Sequence, residues 1–161
     1  MGARITDKGG TDWILELSRI RQGYREIAEK ALMAGANVMA DGFRREIEGI
    51  PVDERHVKDG EMKDGIKQLQ KQGLLDSFGI SPIDSRDGVY DVHLGWEGYN
   101  AIATSRWPQG QPNKMIARSV NTGTYFLRAH PFIDRARTKY RKEAEQAMED
   151  TIAEELGKIT D

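Results

Sequence analysis

Between Gly88 and Trp96 the chain alternates: Tyr90, Val92, Leu94 and Trp96 are apolar or aromatic, and Asp91, His93 and Gly95 stand between them. Side chains of a strand point to opposite faces with a period of two, so this pattern requires a β-strand with one face on a core. A lone strand leaves its backbone unpaired and needs a neighbour. Residues Ser77 to Ile83 can supply one, joined through the turn formers Asp84, Ser85, Asp87 and Gly88. The expected unit is an antiparallel hairpin.

Helical spacing dominates on both sides of it. Trp13, Leu17 and Ile20 predict a short amphipathic helix over 12–21, with Thr11 or Asp12 as its cap. After Gly23 a longer helix is expected to about Ile47, either separate from the first or continuous with it, with Ile27, Ala31, Ala34 and Val38 on one face. Gly35 and Gly42 each cost about 1 kcal/mol inside a helix, which close packing of another element would offset. Gly49, Pro51, Asp59 and Gly60 mark a loop, and Met62, Ile66 and Leu69 predict a short helix over 61–72. Gly98, Pro108, Gly110 and Pro112 break residues 97–113 into a long protruding loop. The segment around Met115 to Val120 fits strand or helix, and Pro131 opens a long helix running to about Leu156.

These elements add up to an α+β fold: N-terminal helices, a small antiparallel sheet with a long loop, and a long C-terminal helix packed on the sheet. With 161 residues, the chain is expected to hold a flexible N-terminus over 1–11 and a single domain over 12–158.

Net charge of −2 and a pI near 6.0 give no general attraction to nucleic acid or anionic membrane. Cysteine is absent, which removes disulfides and thiolate metal sites. Residues 1–12 carry no apolar leader stretch, and no run approaches membrane-spanning length.

Catalytic patterns are missing as well. His56, His93 and His130 do not pair at metal-ligand spacing, no serine sits in a nucleophile elbow, and the glycines form no phosphate-binding loop. Asp87, Asp91 and Glu97 could offer oxygen ligands to a divalent ion, but Asp87 already has a role as a turn former. The chain is therefore read as no enzyme, with no catalytic residue, metal or cofactor. Trp96, Tyr99, Trp107 and Tyr125 flank Arg106, Lys114 and Arg118, a mixture able to stack on bases and touch phosphates. Sheet packing and loop anchoring explain the same aromatics more simply.

The last helix holds its charges in an unusual order. Arg135, Arg137, Lys139, Arg141 and Lys142 come first; Glu143, Glu145, Glu149, Asp150, Glu154 and Glu155 follow. This opposes the helix macrodipole, at about 0.3–1 kcal/mol for each charge near a terminus. One explanation is a ring in which the basic half of one helix meets the acidic half of a neighbour, through Arg135, Arg137, Arg141, Glu149 and Glu154. The other is an indifferent solvated face.

From Val89 to Ala136 short elements follow in order: YDVHLGW, a loop with Pro108 and Pro112, MIARSVNTGT, then RAHPFIDRA. This order resembles the tail-component family of tail-completion and head-tail joining proteins of long-tailed phages. In that family a strand ends in a Val-Gly-Trp-like element, a Glu-x-Gly-Thr motif follows a short apolar segment, and Pro-Phe-Ile or Pro-Phe-Leu opens the last helix. Here Leu94, Gly95 and Trp96 match the first, Gly123 and Thr124 the second, and Pro131, Phe132 and Ile133 the third. Asn121 stands where the family has glutamate, and Gly65 where it often has serine. Pro51, Val52, Gly60, Met62 and Ile66 resemble a further family element, with the gap after Val52 stretched.

The resemblance implies a structural virion protein of the tail or neck, assembled in the host cytoplasm into a ring, a hexamer of this chain. Such a ring would meet tail terminator or tail tube proteins on one side and head-tail connector proteins on the other, with genomic DNA passing through its lumen and no membrane involved. Trp107, Lys114 and Arg118 are then the residues expected to reach a neighbouring ring. The alternative is a small nucleic-acid-binding or nucleic-acid-processing protein.

Overall fold

Strand pairing and helix periodicity account for nearly every element of the computed structural model, which describes residues 2–7, 11, 13–18 and 24–160. In chain order these are β1 (Gly2–Asp7), β2 (Trp13–Ser18), α1 (Arg25–Glu48), α2 (Gln68–Ser77), β3 (Phe78–Ile80), β4 (Asp84–Arg86), β5 (Val89–Trp96), α3 (Asn113–Thr122) and α4 (Phe132–Thr160). The fold is α+β, with one antiparallel sheet and a long C-terminal helix.

The alternating segment is β5, at the centre of the sheet. Its order is β1-β2-β5-β3, and β4 also pairs with β5. Phe78 lies opposite Trp96 and Ile80 opposite Leu94, so part of the expected partner pairs as a strand. Ser77, however, ends α2, and Asp84 and Ser85, expected in the turn, form β4 and pair with Asp91 and Tyr90 instead. The turn from β4 into β5 is the two residues Asp87 and Gly88, both at positive φ (53° and 78°). That backbone twist matches the right-handed twist of the flanking strands, and Asp-Gly tolerates it.

The helix expected over 12–21 is instead a strand where the structure describes it: Trp13–Ser18 pairs with both β1 and β5. Trp13 and Leu17 fit a helical face, but Leu15 and Leu17 fit one face of a strand equally well, and a six-residue window cannot separate the two periods. Pairing decides it, because Leu15 opposite Val92 and Leu17 opposite Tyr90 both become fully buried. Asp12 and Ile20, the other ends of that reading, lie outside the described residues. Residues 2–7, expected within a flexible N-terminus, form the edge strand β1.

The short helix expected over 61–72 begins later, at Gln68. Ile66 is engaged in a bridge with Val52, and a Cβ at Gly65 would run into the Pro51 carbonyl, so helix cannot start before them. Gln70 then accepts a hydrogen bond from the Lys67 amide and satisfies one free donor of the first turn. The ambiguous apolar segment is helical, as α3.

α1 and α4 lie antiparallel: Gly42 faces Tyr140, Gly35 faces Met148, and Lys30 pairs with Glu155. Both glycines occur where the second helix approaches, the close packing their positions required. α1 packs on β2, β3 and β5, while α4 packs chiefly on α1 and touches the sheet at β1. Where β5 ends, Trp96 is 2% exposed and meets Phe43, Phe78 and Phe132 at ring separations of 4.9–5.8 Å. Its indole Nε1 donates to the Leu74 carbonyl at 3.2 Å, so the polar edge of the ring is satisfied too.

Candidate functional site

Three breaker-rich segments that look independent in sequence converge beside the start of α4. The first, after α1, is tied to itself: the Asp53 amide donates to the Ile66 carbonyl and the Ile66 amide to the Pro51 carbonyl. It is tied to the third as well, because the Lys63 amide donates to Phe126 and the Arg128 amide donates to Lys63. The long loop closes on itself, with the Asn100 amide donating to Gln111 and the Asn113 amide to Gly98. Asn100 is buried and its side-chain oxygen accepts from the Ile102 and Gln111 amides. Residues 97–112 are thus irregular, as expected, yet folded back rather than extended.

Asp53 anchors the first segment. Its carboxylate accepts from the Arg55 guanidinium (2.7 and 2.9 Å) and from the amides of Arg55 and Asp64 (both 3.1 Å). These bonds, the Arg55 side chain's first among them, hold its pKa well below the usual carboxylate range.

Between the three segments and α3 runs a groove of about 560 Å³. Trp107, Met115, Ile116, Tyr125 and Phe126 supply apolar surface, and Arg55, Lys58, Lys63, Lys67 and Arg106 stand against only Asp59 and Glu61. Tyr125 is 86% exposed and Phe126 40%, stacked edge to face at 5.0 Å. Arg106 lies over the Trp107 ring. Sequence reading picked out Trp107, Tyr125 and Arg106 but missed the contribution of 55–67, because only long-range backbone pairing brings it there.

Of the residues matching the three family motifs only Thr124 lines this groove, and the others lie around the start of α4 and the end of β5. Asn121 Oδ1 accepts from the Ile133 amide at 3.0 Å, so the asparagine serves a free donor at the start of α4. Gly123 sits at φ 78° against Ala129, and Thr124 Oγ1 accepts from the Phe126 and Leu127 amides. Gly95 lies opposite Gly79 in the sheet, and Pro131 precedes Phe132, which is buried against Trp96.

The other expected residues separate. Trp96 is in the core and offers no face to a base, while Lys114 and Arg118 are exposed on α3 and do not line the groove. On α4, Arg135 and Lys139 both reach Glu46 of α1, and Arg141 pairs with Glu145 on its own helix. Glu154 pairs with Lys158, whereas Glu149 is exposed and forms no ion pair among the described residues. Asp91 is near His93 at 3.6 Å, and no cluster of His, Asp and Glu able to hold a metal occurs among the described residues. Nor is any described helix long and apolar enough to cross a membrane.

Comparison of the chain with protein-family models, curated proteins and solved structures returns no match.

Proposed function

We propose that this chain is a structural subunit of the tail-completion or head-tail joining ring of a long-tailed phage. The observation that carries the reading is the joining of three motifs at one place. The strand-end tryptophan packs on the phenylalanine that opens the last helix, at 5.7 Å between ring centres, and Asn121 hydrogen-bonds the same helix end. Motifs that resemble a family only by order and spacing thereby acquire a shared physical task, locking the last helix to the sheet. A ring subunit needs such a rigid wedge, together with two unlike faces that let copies close on one another, and no catalytic group. Its partners would be further copies of itself in a hexamer, tail terminator or tail tube proteins, connector proteins, and the DNA in the lumen.

Cryo-electron microscopy of particles containing the protein tests this. A ring at the head-tail junction is the expected result; absence of the chain from particles overturns it.

A second reading, nucleic-acid binding, draws on the aromatic and cationic groove, where Trp107, Tyr125, Arg106 and Lys58 could meet bases and phosphates. It predicts DNA binding that weakens steeply with salt.

A further inference from the structure

The basic groove has a complement on the same chain. From residue 143 to 157, α4 carries Glu143, Glu145, Glu149, Asp150, Glu154 and Glu155 and no cation. Part of this charge is satisfied internally, since Glu155 is held by Lys30 and Lys158 and Glu145 by Arg141. Glu143 and Glu149 are exposed and form no ion pair among the described residues. Close after them stands an apolar side chain in water, Ile159, 59% exposed.

The groove presents the opposite features. Lys58, Lys67 and Arg106 are exposed on its rim and form no ion pair among the described residues, and the aromatic pair Tyr125 and Phe126 flanks an apolar floor. A cationic rim around an apolar floor suits an acidic segment with an apolar anchor.

The two surfaces cannot meet within one molecule. The groove adjoins the start of α4, where the His130 amide donates to Val120 and the His130 ring contacts the Asp64 carbonyl. At about 1.5 Å per residue, Glu149 lies about 26 Å along the helix from Phe132 and Glu154 about 33 Å. The helix cannot fold back, because Tyr140 and Met148 are packed into α1 at Gly42 and Gly35.

We infer that the groove is the docking site for the acidic end of α4 of a second copy of this chain. The contact is heterologous, head to tail, and such contacts propagate into a ring or an open filament. What it builds rests on the ring reading above; the contact itself is a property of two chains in solution. It differs from the pairing of basic and acidic α4 halves expected from sequence, because Arg135 and Lys139 share Glu46 and Arg141 reaches Glu145 within the molecule, whereas the groove's rim cations have no such partners among the described residues.

A charge-swap experiment on the full chain tests the contact. One variant carries Lys58→Glu and Arg106→Glu, the other Glu149→Lys and Asp150→Lys; all four positions are exposed, and circular dichroism checks the fold of each. By sedimentation velocity, each variant alone self-associates at least about tenfold more weakly than the parent, and an equimolar mixture recovers to within about threefold. Undiminished association of either variant, or no recovery on mixing, overturns the inference. So does a groove that binds a single-stranded oligonucleotide while the charge swaps leave self-association of the full chain unchanged. If particles lack the protein but the swap behaves as stated, the ring reading fails and this contact stands.

Discussion

The Ile133 amide donates a 3.0 Å hydrogen bond to the side-chain oxygen of Asn121, a residue from the end of a different helix. The first amides of α4 have no acceptor within their own helix, and Pro131, before it, has no side-chain acceptor to offer. Asn121 fills that role across the chain reversal at Gly123, so α3, the turn and α4 are fixed together by one carboxamide.

Asn121→Ala is therefore expected to lower stability by about 1 kcal/mol, the usual cost of removing a helix cap. Asn121→Asp keeps the acceptor and adds a negative charge at a helix N-terminus, but it loses the amide that donates to Asp134 and sets two carboxylates side by side, so it should fall between the parent and the alanine variant. Urea unfolding midpoints of the three proteins check this; an alanine variant as stable as the parent would show that the bond is dispensable.

Gly42 marks the tightest approach of the two long helices. A Cβ there would collide with the Tyr140 ring near its root, which cannot swing aside as a chain end could. Gly42→Ala gains about 1 kcal/mol of helix propensity but is expected to lose more to overpacking, for a net destabilisation of about 1–2 kcal/mol. Combined with Tyr140→Ala, the same substitution should become favourable, and thermal melts of the double-mutant cycle would measure the coupling.

The sequence made some of this legible. The alternation from Tyr90 to Trp96 named the central strand because only one period fits it, and local chemistry placed Asp87 and Gly88 in a turn but put Asp84 and Ser85 there too, where pairing with β5 makes them strand. Gly35 and Gly42 pointed to the close approach of another element, which is α4. Trp13 to Ser18 was misread because two periods fit it, and the decision lay in pairing with β5, far along the chain. The groove was illegible for the same reason. Its walls are joined by backbone bonds such as Lys63 to Phe126, and backbone pairing leaves no residue-type signature. Asp53 was passed over among loop residues, although its carboxylate gathers four hydrogen bonds.

Trp96 should be the costliest single position. Its ring touches Phe43, Phe78 and Phe132, residues of α1, β3 and α4, and so couples three elements to β5. Trp96→Ala is expected to cost about 3–5 kcal/mol through the cavity it leaves. Trp96→Phe keeps much of the packing but leaves the Leu74 carbonyl without its donor, a loss of about 1–3 kcal/mol. Chemical denaturation should rank the three proteins in that order.

Acid should loosen the groove wall through Asp53. Its pKa is depressed in the folded chain, chiefly by the Arg55 side chain, against about 3.9 for an unperturbed aspartate. A carboxyl whose folded pKa lies below its unfolded one contributes stability in full above the unfolded value and loses it as pH falls toward the folded value. Asp53→Asn cannot carry the charge, so it should be less stable than the parent at neutral pH, with the gap closing below about pH 4. Comparing urea midpoints of the two proteins across pH isolates this group, because the remaining carboxylates titrate in both. A gap that stays constant into acid would mean that Asp53 acts through its shape alone. A gap that closes, together with faster amide exchange at Asp64 and Arg55 in Asp53→Asn, would place the anchor of the 51–66 segment on this one charge.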